Sequence, residues 1–138
     1  MLFGIGNLSI VPLRAEECDA SEMRSQLLFG EHFEIIEKQK NWSKIRLHFD
    51  HFEGYIDNKQ YLEISADFYT RLCDTIPTYS GELLDFVTNQ KSELTTIAIG
   101  AQLPFFKEGK LKLENSEYAY DSATFQGILP KTEILLDC

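Results

Sequence analysis

Ser25-Gln26-Leu27-Leu28-Phe29-Gly30-Glu31-His32-Phe33-Glu34-Ile35-Ile36, followed by Asn41-Trp42-Ser43-Lys44-Ile45-Arg46-Leu47 and Phe52-Glu53-Gly54-Tyr55-Ile56, reads as three successive strands of a small β-barrel. The turns between them are short enough for each strand to pair with the next. In the middle strand Ile45, Leu47 and Phe49 point to one side, and Lys44, Arg46 and His48 to the other. Such two-residue alternation with one apolar side marks a half-buried strand. Gly30 and Gly54 are expected at sharp bends, where glycine takes a positive φ without a Cβ clash. Phe33, Ile35, Ile45 and Leu47 are the expected core.

Working outward, the 138 residues leave room for one domain or two small ones. An apolar fraction of 43% and a mean hydropathy of −0.22 suit a soluble globular chain. No apolar run approaches the roughly 20 residues that span a bilayer. Met1-Leu2-Phe3-Gly4-Ile5-Gly6-Asn7 has neither a basic segment nor a small-residue cleavage site. A cytoplasmic location is therefore expected, or the cell envelope if a leader has been removed. The net charge of −9 argues against nucleic acid and against anionic membrane as partners, since both need clustered Lys and Arg. Cys18, Cys73 and Cys138 are odd in number and widely spaced, and match neither a disulfide framework nor a zinc pattern. No metal or cofactor is expected.

The chain also echoes itself. Gly30 with its following apolar residues has a counterpart at Gly100-Ala101-Gln102-Leu103-Pro104-Phe105-Phe106, and Phe52-Glu53-Gly54-Tyr55-Ile56 has one at Phe125-Gln126-Gly127-Ile128-Leu129. The two offsets agree to within a few residues, which points to a duplicated topology. Residues 1–64 form the first expected domain and residues 65–130 the second. Arg14 to Ser25 is the expected large loop of the first, and Asp57 to Leu62 suits one turn of 3₁₀-helix. Ser65 is placed to cap a short linker helix. Leu83–Thr88, Thr95–Ile99 and Lys110–Glu114 read as strands, and Lys107-Glu108-Gly109-Lys110 as a hairpin turn. Residues 131–138 read as a truncated helix that begins a further domain.

Asn7-Leu8-Ser9-Ile10-Val11-Pro12-Leu13-Arg14, Ser25 to Glu31 and Trp42-Ser43-Lys44-Ile45-Arg46 together resemble the N-terminal region of Bacteroidetes NlpC-type cell-wall cysteine peptidases. The likeness is close over residues 7–60 and looser over 66–129. It implies an all-β fold of two tandem bacterial SH3-like barrels ahead of a papain-like peptidase domain. It also implies a γ-D-glutamyl–diamino-acid endopeptidase that trims muropeptides in peptidoglycan recycling. The family's nucleophile lies in Asp-Cys-Ser-Gly, and none of the three cysteines here is followed by Ser-Gly. The chain is thus expected to be non-catalytic. Its expected partners are a peptidoglycan-derived peptide and a C-terminal peptidase domain in cis.

The same likeness directs attention to the loop around Phe52. Relatives carry a tyrosine at that position, over the peptidase cleft, where it helps recognise the free N-terminus of the stem peptide. Phe52 keeps the ring without the hydroxyl, and Tyr55 stands where relatives carry Trp. Asp50 and Glu53 are candidates to complement the peptide's ammonium group. Phe52, Asp50, Glu53 and Tyr55 are therefore the candidate substrate-binding residues. For Phe52 the alternative is packing within its own loop, for Tyr55 a place in the barrel core, and for Trp42 a cover over the barrel end rather than a stacking platform. His48 and His51 flank Asp50, but two imidazoles and a carboxylate usually make only a solvated loop. All three histidines, His32, His48 and His51, are expected at turns or facing solvent, so a Cys/His pair is not expected. A rival function is a stand-alone SH3-like peptide or cell-wall binding module.

Overall fold

Alternation of the kind seen in Ser43-Lys44-Ile45-Arg46-Leu47 recurs along the chain, and the described residues are all-β with one short α-helix. The structure, a computed structural model, describes residues 1–15 and 23–127. Its strands are β1 (Leu2–Ile5), β2 (Ile10–Arg14), β3 (Met23–Leu28), β4 (His32–Lys38), β5 (Trp42–Leu47), β6 (Glu53–Asp57) and β7 (Leu62–Ile64). Then come α1 (Ala66–Cys73), β8 (Thr78–Ser80), β9 (Leu84–Asn89), β10 (Leu94–Ala98), β11 (Lys110–Leu113), β12 (Ser116–Ala119) and β13 (Thr124–Gln126).

The first seven strands form one antiparallel sheet in the order β3-β2-β6-β5-β4-β1-β7. Phe33 pairs with Leu47 and Ile35 with Ile45, which stacks their side chains on one face. With Val11, Leu13, Leu27, Ile56 and Tyr61 they make the first core. Ser43 is buried on the same face, its hydroxyl donating to Asn58 Oδ1 at 2.5 Å and meeting the Tyr61 hydroxyl at 3.0 Å. Asn58 belongs to the expected single 3₁₀ turn, Asn58–Gln60.

Several local expectations change. The stretch Ser25–Ile36 holds parts of two strands, broken at Phe29-Gly30, and β3 pairs with β2 rather than with β4. Phe49 is not part of the β5 alternation, because the strand ends at Leu47 and a turn follows. Gly30 does take a positive φ, 82°, and a Cβ there would lie 2.0 Å from the carbonyl oxygen of Gln102. Gly54 has no positive φ. It sits inside β6, where a side chain would crowd the Phe52 ring and the Arg14 carbonyl at 3.1 and 3.3 Å. Gly100, the expected counterpart of Gly30, also takes a positive φ, 87°, but a turn follows it where β4 follows Gly30; Gly127, the expected counterpart of Gly54, lies in a bend after β13 at φ 118°.

The second half carries a four-stranded antiparallel sheet, β10-β9-β12-β11, and a two-stranded pair, β13-β8. Glu108 and Gly109 both adopt positive φ, 52° and 80°, in the turn that leads into β11. The expected linker helix is present, with the Ser65 hydroxyl accepting from the Phe68 N–H at 3.1 Å. Its apolar side, Phe68, Tyr69 and Leu72, belongs to one buried cluster with Ile5, Phe29 and Ile64 of the first half and Val87, Ile97, Leu103 and Leu111 of the second. One core therefore runs across the junction. A backbone hydrogen bond from Gln102 N–H to the Phe29 carbonyl, 2.9 Å, closes it further. The expected helix over residues 131–138 lies outside the described residues. No helix among those described is long and apolar enough to cross a membrane.

Candidate functional site

The turn between β5 and β6 carries the residues singled out from sequence. It is held by Leu47 N–H donating to the Phe52 carbonyl at 2.9 Å and His51 N–H to the Leu47 carbonyl at 3.0 Å. His51 takes a positive φ of 60° to make the bend. Asp50 is exposed and accepts from the Phe52 N–H at 3.1 Å. Phe52 is half-buried against the first core, over Gly54. Glu53 is already engaged: Arg46 Nε and Nη2 donate to its carboxylate at 3.0 and 2.9 Å, and Lys44 Nζ lies 3.8 Å away. Tyr55 is half-buried within β6, opposite Lys44 on one side and Arg14 on the other. Asp50 and Phe52 thus share the loop, whereas Glu53 and Tyr55 lie on the outward side of β6.

A cavity of about 130 Å³ opens beside that loop at the junction of the two halves. None of Asp50, Phe52, Glu53 and Tyr55 lines it. His32, His48, Phe49 and Cys73 do, facing Tyr79 and Gln102 from the second half. His32, expected near solvent, is only 7% exposed. Local alternation could not show this, because the cover comes from α1, far along the chain. His32 stacks on His48, centroids 4.6 Å apart and planes 25° apart, with the Tyr69 ring edge-on at 5.4 Å. Among the described residues, neither ring nitrogen of His32 has a hydrogen-bond partner. Burial, with a smaller contribution from His48, pushes its pKa down to about 3.

A Cys/His contact is present after all. Cys73 Sγ lies 3.5 Å from His48 Nδ1. Burial raises the pKa of the Cys73 thiol, while burial and then His51 lower that of His48. Both shifts favour the neutral pair, the reverse of the thiolate–imidazolium state that makes a cysteine nucleophilic. One ring nitrogen each of His32 and His48 and the sulfur of Cys73 lie within 4.8 Å of one another. Nothing in the spacing of these three residues announces the cluster; it is a product of docking α1 across β4 and the end of β5.

Residues 13–60 match the family model described as the bacterial dipeptidyl-peptidase SH3 domain. That segment runs from β2 through the 3₁₀ turn and contains the Phe52 loop. Among solved structures, the chain is similar to an NlpC/P60 family protein from Bacillus cereus ATCC 10987, with a TM-score of 0.71 at 12% identity. The alignment covers 98% of this chain and 61% of that one, so the chain spans about three-fifths of that protein's length. At this identity the likeness is one of fold. No curated protein matches the chain.

Proposed function

We propose that this chain is the non-catalytic recognition region of a cell-wall cysteine peptidase, made of two SH3-like modules that dock a peptidase domain and bound its substrate cleft. The observation that carries the reading is the β5–β6 loop, which lies within the matched SH3 segment and holds the exposed carboxylate of Asp50 on the backbone N–H of Phe52, two residues from the half-buried ring. An exposed carboxylate on the same short loop as a half-exposed ring suits the ammonium end of a short stem peptide. Glu53, neutralised by Arg46, contributes to holding the loop rather than to the ligand. The fold likeness to an NlpC/P60 protein over nearly the whole chain supports the same reading.

Docking has a candidate surface in the outer side of β9 and β10. Leu83, Leu84, Phe86 and Leu94 are 70%, 70%, 51% and 62% exposed there, a concentration of apolar surface that a lone soluble domain rarely displays. A stand-alone peptide-binding module is the second reading, favoured by the junction cavity, which this chain completes from its own two halves.

Titrating the isotope-labelled chain with L-Ala-γ-D-Glu-diamino-acid peptide, and with its N-acetylated form, separates these readings. The recognition-region reading expects amide shifts at residues 50–53 with the free-amine peptide, weak or absent after acetylation, and lost in Phe52→Ala. Shifts confined to Phe49, Tyr79 and Gln102 favour the stand-alone module. No response to either peptide at millimolar concentration counts against both.

A further inference from the structure

We propose that His32, His48 and Cys73 form a binding site for a borderline-soft transition-metal cation, Zn²⁺ above all, at the junction of the two halves. Two imidazoles and a thiol are the donor set that Zn²⁺ prefers over hard cations such as Mg²⁺ and Ca²⁺. In a tetrahedral zinc site, bonds of about 2.0–2.3 Å place nitrogen donors about 3.3 Å apart and nitrogen from sulfur about 3.6 Å. Cys73 Sγ and His48 Nδ1 already stand at 3.5 Å, and all three donors lie within 4.8 Å. An independent observation singles out His32. It is more than nine-tenths buried, it lines the cavity, and both its nitrogens lack a hydrogen-bond partner among the described residues. A buried polar group left in that state needs an explanation, and a cation supplies it.

Closing on the ion requires the two rings to splay out of their stack, since the metal must lie in the plane of each. His48, exposed and at a strand end, is the ring free to turn; His32 is held by its surroundings. Binding would displace the thiol proton of Cys73 to solvent, giving a thiolate and two neutral imidazoles around the ion. The charges of Asp74 and Glu34 reach Cys73 and offset the remaining positive charge. Three protein ligands leave a fourth position for water or a ligand donor. The site joins β4, the end of β5 and α1, so its occupation would tie α1 to the first sheet.

The test uses the full chain with Cys18→Ser and Cys138→Ser, leaving Cys73 as its only thiol. Titration with Co²⁺ is followed by optical absorption, then Zn²⁺ is added in competition. The expected result is one equivalent bound, a thiolate-to-cobalt charge-transfer band, the visible bands of a tetrahedral centre, and loss of all of these on adding Zn²⁺. Cys73→Ser should abolish the charge-transfer band. His48→Ala, at an exposed position that leaves the fold intact, should weaken Zn²⁺ binding at least about 100-fold, more than loss of an outer contact costs. Zn²⁺ should also raise the melting temperature of the parent chain and not that of Cys73→Ser. Absence of the band, or Zn²⁺ affinity unchanged in both variants, overturns the proposal.

Discussion

Leu47 is fully enclosed, paired across the sheet with Phe33, and ends the strand that leads into the Phe52 loop. Leu47→Ala is expected to lower stability by about 2–5 kcal/mol, from lost transfer energy and the cavity left behind; urea denaturation measures it. His32 gives a pH dependence. In the unfolded chain its imidazole titrates near 6.5, whereas in the fold it does so at about 3. The folded value is depressed, so the unfolded chain binds more protons between these limits. Stability present above about pH 6.5 is therefore lost as the pH falls toward 3, by about 1.4 kcal/mol per unit. His48 acts with the same sign. With chelator present, urea midpoints at pH 7 and 4.5 should differ more for the parent than for His32→Leu, which has no imidazole to protonate; equal differences would sink the account. Ile45, Leu47, Phe33 and Ile35 were legible as core because each lies in a strand whose neighbours in sequence reveal its inward face. His32 was not, because the atoms that bury it belong to a helix more than thirty residues later.

At the scale of elements, α1 is short and depends on its ends. Ser65 caps it, and the Ser65 N–H and hydroxyl both donate to Glu114, at 3.1 and 2.5 Å, which ties the helix start to the second sheet. Ser65→Ala removes the cap and the hydroxyl contact together and should cost about 1–2 kcal/mol; Glu114→Gln should cost less, since the amide oxygen still accepts. Comparing the two by thermal melting separates cap from clasp. The cap was readable as a serine ahead of Phe68, Tyr69 and Leu72, and the strands β5, β9, β10 and β11 were readable from short-range patterning. Gly54 misled for a related reason. Glycine in a turn and glycine under a neighbouring ring look alike until the pairing of β6 with β5 is known. Phe49 likewise continued an alternation on paper that the chain abandons at the turn. Of the candidate site, the loop was found from resemblance, whereas the Cys73–His48 contact depends on packing between elements and left no local trace.

For the molecule as a whole, the decisive feature is that Ile5, Phe29 and Ile64 belong by sequence to the first half and by packing to the core of the second. Independent halves would melt separately. A core shared across the junction predicts one cooperative transition, with fluorescence of Trp42 in the first half and hydrogen exchange at Leu111 in the second reporting the same midpoint. Gly30→Ala should shift both probes together by at least about 1–3 kcal/mol, since it combines a positive φ with a clash against the Gln102 backbone. Two separate midpoints would show that the junction contributes little. The Gly30–Gln102 contact has a further meaning for descent. Modules that touch only through a linker can be shuffled between genes one at a time, each arriving in its new host intact. Here a crossover at Ser65 would hand the recipient a first half with three bare hydrophobic side chains and a turn shaped to fit a neighbour left behind. Lineages that kept either half should therefore have kept both, and any descendant carrying the first half alone should show polar replacements at the positions of Ile5, Phe29 and Ile64.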